Sequence, residues 1–107
     1  MATHQGDGWT ALGDPTRRAI VGLLAVRPRA VGELAAELPI SRPAVSQHLK
    51  VLKEARLVAD AAAGTRRVYR LDPAGLIELR GQLDHFWTQA LANFKHLAEH
   101  TSHEENR

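Results

Sequence analysis

The sequence predicts a small, mainly α-helical domain that carries one β-hairpin and ends in a long helix. Three observations carry this expectation. Val45, Leu49 and Leu52 recur at helical spacing; Arg66 to Leu71 alternates in steps of two around β-branched and aromatic residues; and a wide apolar stripe runs from Leu76 to Leu97. At 107 residues the chain fits a single domain. Residues 1–8 are expected to be a flexible N-terminus, residues 9–100 the folded domain, and residues 101–107 a flexible tail.

Composition excludes several functions at once. The chain has no cysteine, so it has no disulfides, thiolate metal sites or cysteine nucleophiles. No apolar run approaches the ~20 residues that span a bilayer, and the polar start Met1 to Gly8 has no signal-peptide pattern. A soluble, cytoplasmic protein without a membrane partner is expected. The sequence holds no phosphate loop, no nucleophile motif and no paired carboxylates at metal-ligand spacing, so an enzyme is not expected. Net charge is only +2, but its distribution is uneven. Residues 41–70 carry seven Lys and Arg against Glu54 and Asp60, a net +5 that leaves −3 for the rest. Such a positive segment is an electrostatic footprint for a polyanion.

Taken in order, Trp9 and Leu12 suggest a short helical turn that stops at Gly13. Asp14 then caps a second helix with Pro15 at its first position, running through Ile20, Val21, Leu23 and Leu24 to about Val26. Arg17 and Arg18 fall in its first turn, where the helix dipole disfavours cations. A phosphate or carboxylate is expected beside one of them, with plain surface arginines or a salt bridge as the equal alternative. Arg27-Pro28-Arg29 breaks this helix, and Val31 to Leu38 forms a compact amphipathic segment.

Pro39-Ile40-Ser41 turns the chain into the helix on which function should centre. Ser41 is its expected cap, and Pro43 is tolerated in the first turn because the amide it removes has no acceptor there. Val45, Leu49 and Leu52 face a core, while Arg42, Ser46, Gln47, Lys50 and Lys53 stand on the other side. His48 borders the buried face and is expected to be a packed, hydrogen-bonded histidine. Two short helices joined by so tight a turn form a helix-turn-helix. Leu57 to Ala61 and Arg66 to Leu71 then make a hairpin, with Gly64, Thr65, Arg66 and Arg67 at its tip and Tyr69 and Leu71 facing inward. A basic hairpin directly after such a helix is a wing, suited to phosphates or the minor groove.

With these residues in view, the sequence resembles the ArsR/SmtB-type winged helix-turn-helix transcriptional repressors. The likeness rests on Asp14-Pro-Thr-Arg-Arg-Ala-Ile, Val31-Gly-Glu-Leu-Ala, the run from Ile40 to Val58, and Gly64-Thr-Arg-Arg-Val-Tyr-Arg-Leu. It covers roughly residues 9–98. The resemblance implies a homodimer that binds double-stranded DNA at an inverted-repeat operator, usually near its own promoter, and leaves it when an effector, unknown here, arrives. Carried over by position, DNA contacts fall on Ser41, Arg42, Ser46 and Gln47, with Arg66 and Arg67 on the wing. Pro43 replaces a position that is often polar in relatives. By chemistry, Arg42 suits guanine O6 and N7 and Gln47 suits adenine N6 and N7. Lys50, Lys53, Arg66 and Arg67 suit phosphates, and Ser46 either. A winged helix that binds only protein is the alternative; the groove-reading side chains argue against it.

From Asp72 to about His100 the last helix, expected near residues 73–100, carries an apolar stripe too wide for a short first helix to cover. Leu79, Leu83, Phe86, Trp87, Ala90 and Phe94 are its expected dimer contacts, which makes this the dimerisation helix. Some relatives bind zinc on this helix, and a metal-responsive repressor with an intersubunit zinc site is a further alternative. The residues in question are Asp84, His85, His96 and Glu99, with the aspartate one place off the pattern. No metal or other cofactor is expected.

Overall fold

The computed structural model describes the backbone of residues 7–105 and the side chains of residues 7–101. The outer parts of the two expected flexible ends, residues 1–6 and 106–107, lie outside the described residues. The first helix begins at Gly8 and the last ends at Glu105.

Capping chemistry sets most of the helix starts. Asp7 accepts the Trp9 amide and begins a single turn, α1 (Gly8–Ala11). Asp14 accepts the amides of Thr16 and Arg17 and begins α2 (Pro15–Val26), with proline at the first position as expected. After β1 (Arg29–Ala30) comes α3 (Val31–Glu37), where Glu33 reaches back to the Ala30 amide at 2.9 Å, the half of a capping box that a glutamate supplies. Ser41 caps α4 (Arg42–Glu54) through the Ala44 amide. Then follow β2 (Val58–Ala63), β3 (Arg66–Leu71) and α5 (Pro73–Glu105), whose first turn is held by Asp72 accepting the Ala74 amide.

The chain divides between Ile77 and Glu78 into two units. The core lies in the first: Ile20 and Leu24 of α2, Leu34 of α3, Val45, Leu49 and Leu52 of α4, and Leu57 and Val58 at the hairpin root are all buried. Each such side chain contributes roughly 1.5–3 kcal/mol on leaving water. The second unit is the continuing length of α5.

One sharp corner joins α4 to the wing. Arg56 sits at φ 64°, the left-handed region usually given to glycine. The Leu57 amide reaches the Leu52 carbonyl and the Arg56 amide reaches that of Lys53, a Schellman closure with Leu52 and Leu57 both buried across it. The hairpin turn is Gly64-Thr65, between paired Ala63 and Arg66, with Gly64 at φ 65° as a type II′ turn requires.

The expected hairpin forms between β2 and β3, and a third strand joins it to give an antiparallel sheet in the order β1-β3-β2. Arg29 pairs with Tyr69 and Ala30 with Val68, so the segment read as a helix breaker is also an edge strand. It brings a charge inside. Arg29 is buried and its Nη1 meets Glu37, while its Nε has no hydrogen-bond acceptor among the described residues. Arginine cannot shed its proton, so Glu37 is the counter-ion that makes burial tolerable. Glu37→Ala is therefore expected to destabilise the protein by roughly 1–3 kcal/mol, discounted because the carboxylate is partly solvated. A denaturant midpoint equal to that of the wild type would refute this role.

Candidate nucleic-acid interface

Helical geometry sorts the exposed side chains of α4 into two rows. At 100° per residue, Arg42, Ser46 and Lys53 fall within roughly 40° of one another, and Pro43, Gln47 and Lys50 form a second row roughly 60–120° further round from the middle of the first. All six are exposed, whereas His48 is half-buried, with Arg17 Nη1 3.4 Å from its Nδ1. The side chains of Ser46, Gln47 and Lys50 have no hydrogen-bond partner among the described residues. Ser41 uses its oxygen as the helix cap, which leaves its hydroxyl proton for an outside acceptor.

The first row faces the wing. Lys53 pairs with Asp60 of β2 at 2.8 Å, and Arg42 lies across Gly32 at the start of α3. A Cβ on Gly32 would stand 2.9 Å from Arg42 Nη2 and 3.2 Å from its Cζ, so the glycine is what lets the guanidinium rest there.

The wing arginines stand on opposite faces of β3, as a two-residue period demands. Arg66 reaches Glu33, which also holds Arg27 at 3.1 Å. Arg67 reaches Asp60 at 2.8 Å; it lies diagonally across the strands, two places before Tyr69, the residue paired with Asp60. Each acid thus gathers two cations and leaves a surplus positive charge. Hydrogen bonding from the Ala30 amide, then Arg27, lowers the Glu33 pKa. Bonding from Lys53, then Arg67, lowers that of Asp60, whose side chain is only 6% exposed. Asp14 is lowered in the same direction by the Arg17 amide and then that of Thr16.

Sequence reasoning found the cations and missed Glu33, Asp60 and Gly32, which position them. The available signal was small: a glutamate three residues after a helix start, and an aspartate at an alternating strand position. Neither Arg17 nor Arg18 forms an ion pair with a carboxylate among the described residues. Arg17 Nε donates to the Ala11 carbonyl and Arg18 Nη1 to that of Leu12, so both close the C-terminal end of α1, where carbonyls lack helical partners.

On α5, Leu79, Leu83, Phe86, Trp87, Ala90, Phe94 and Leu97 share an arc of roughly 100°. Phe86 is 65%, Trp87 54% and Phe94 72% exposed in the single chain; Leu83 and Leu97 are exposed too, while Leu79 and Ala90 are half-buried. His85 and His96 project roughly 130–150° away from the middle of that arc and lie about 16 Å apart along the axis. Asp84 and Glu99 are exposed on the same helix, His96 stacks on His100 at 5.9 Å, and no three metal-ligating side chains converge among the described residues.

A short helix, a tight turn, a polar-faced second helix and a basic hairpin define a winged helix-turn-helix protein. The model of the arsR family of bacterial regulatory proteins matches residues 14–60. The HTH-type transcriptional regulator Rv2034 of Mycobacterium tuberculosis is 67% identical over 101 residues, spanning 92% of this chain and 94% of its own length. A crystal structure of a possible transcriptional regulator for arsenical resistance superposes with a TM-score of 0.68 at 45% identity, covering 78% of this chain and 92% of that one. The solution structure of the homodimeric winged helix-turn-helix DNA-binding domain Mb0332 of Mycobacterium bovis matches with a TM-score of 0.61 at 29% identity, covering 75% and 74%. The chain belongs to the arsR family and is a DNA-binding transcriptional regulator. Among the described residues no helix is long and apolar enough to cross a membrane.

Proposed function

We propose that this protein is a homodimeric repressor that pairs through the apolar arc of α5 and binds a palindromic operator, one half-site per protomer. The observation that carries the reading is the conjunction of the unpartnered side chains Ser46, Gln47 and Lys50 on α4 with a basic wing tied to the same helix through Lys53, Asp60 and Arg67. The dimeric state of the Mycobacterium bovis relative and the exposed aromatics of α5 support the pairing. Two-fold symmetry makes the operator an inverted repeat with half-sites about 34 Å apart.

Within this reading Gln47 and Ser46 contact base edges, and Ser41, Lys50, Arg66 and Arg67 contact phosphates. The DNA upstream of the protein's own reading frame is the first place to search by footprinting. On a site so found, Gln47→Ala is expected to weaken operator binding by ~1–3 kcal/mol while leaving random duplex unchanged. Arg67→Gln is expected to weaken both alike and flatten the salt slope by about one unit. If the wild-type protein prefers no duplex over random competitor, the function assigned here is wrong.

A further inference from the structure

Between the first turn of α4 and the wing lies a cleft of about 510 Å³ whose walls include Gly32, Glu33, Arg42, Arg66 and Arg67. Arg42, Arg66 and Arg67 outnumber its one acidic residue, Glu33, although the Arg67 guanidinium is turned to Asp60 on the other face of β3. Arg42 has no hydrogen bond or ion pair among the described residues, although Gly32 leaves its guanidinium room to lie against α3. Arg66 is engaged, but only with Glu33, which it shares with Arg27 and the Ala30 amide. We propose that this cleft seats one phosphate of the duplex backbone, and that in the free protein Glu33 holds the place of that phosphate on Arg66. The inference rests on the DNA-binding role proposed above and adds a site to it.

The chemistry of the exchange is direct. Carboxylate and phosphodiester oxygens are both anionic acceptors that a planar guanidinium grips with paired N–H donors. A phosphate entering between Arg42 and Arg66 therefore replaces one charge-assisted bond with another of the same kind. Arg66 gains little from the exchange, and Glu33, still fixed by the Ala30 amide and Arg27, repels the incoming anion. Arg42 has no such competitor and supplies the attraction. Glu33 thus lowers affinity for every duplex, operator and random sequence alike, because the phosphate it opposes carries no sequence information. The seat also gives Arg42 a different task from the guanine contact expected of it, because its guanidinium lies against Gly32 at the cleft wall.

The test is fluorescence anisotropy of the full chain on a random-sequence duplex across a salt series. Glu33→Gln keeps an oxygen for the Ala30 amide, so the capping-box bond survives while the charge is lost. It is expected to bind random duplex about five- to tenfold more tightly at low salt, with a slope steeper by about 0.9 as one more phosphate is neutralised. Adding Arg66→Gln to that variant should cancel the gain. Arg42→Gln, an exposed substitution that leaves the cap intact, is expected to flatten the slope by the same amount on operator and random duplex alike. Unchanged or weaker binding by Glu33→Gln, or a loss with Arg42→Gln confined to the operator, overturns the phosphate seat while DNA binding stands. Absence of duplex binding by the wild type overturns both.

Discussion

Gly75→Ala is expected to destabilise the protein by on the order of 3 kcal/mol or more, although alanine is the better helix former. The cause is the corner after α4. With Arg56 in the left-handed region, its carbonyl is turned against the first turn of α5, and the Asp72 amide donates to Leu57 beside it. A Cβ on Gly75 would fall on the Arg56 carbonyl oxygen and only 2.6 Å from its carbon. Backbone is the obstacle, so no rotamer change relieves the clash. Either the Schellman closure opens, exposing Leu52 and Leu57, or the start of α5 moves off Asp72. Gly22 and Gly81 provide the contrast, since a Cβ at either meets nothing within 4 Å. Alanine there is expected to stabilise by roughly 0.5–1 kcal/mol through the smaller loss of chain entropy. Thermal melts at one fixed protein concentration check the contrast, with Gly75→Ala expected to lower Tm by roughly 10 °C or more. Equal melting temperatures for the three variants would mean that the close approach of Gly75 to Arg56 does not hold in solution.

The same corner shows where sequence patterns stop being informative. Helix starts were legible because the determinants are local: Asp14 with Pro15, Ser41 with Pro43, and Asp72 with Pro73 each act within three residues. The left-handed Arg56 was not, because glycine is the usual signal and here buried Leu52 and Leu57 hold an arginine in its place. A two-residue strand such as β1 has no period to detect; it exists because β3 offers it a partner about forty residues away in sequence. The interface divides in the same way. Its cations were legible from type, spacing and local surplus of charge. Their anchors were not, because Arg66 and Glu33 are 33 residues apart and meet only after the wing folds against α3. For Arg17 and Arg18 local dipole reasoning offered an anion or a plain surface position, and did not reach the carbonyls of Ala11 and Leu12 that accept from them.

Phe94→Asp is expected to convert a dimer into monomers, raising the dissociation constant by at least a hundredfold, which corresponds to roughly 3 kcal/mol. Phe94 stands 72% exposed within an apolar arc that also holds Phe86, Trp87 and Leu97. An aromatic side chain removes roughly 150–250 Å² from contact with water when it is covered, worth about 4–6 kcal/mol at about 25 cal/mol per Å², part of which offsets the entropy of association. A two-fold interface contains every contact twice, so the substitution deletes two rings and sets two carboxylates against apolar surface. Folding of the first unit does not depend on this face, because its core is drawn from α1 to α4 and the hairpin root. Circular dichroism of the variant should accordingly retain the helical signal while light scattering reports a halved mass at micromolar concentration. Operator affinity should fall with it, since a single half-site loses the joined second contact. His96→Ala, whose side chain leaves α5 roughly 130° from the middle of the arc, is expected to leave the dimer intact. Should His96→Ala dissociate the protein and Phe94→Asp not, the contact lies on the histidine side of the helix and the apolar arc has been assigned to the wrong partner.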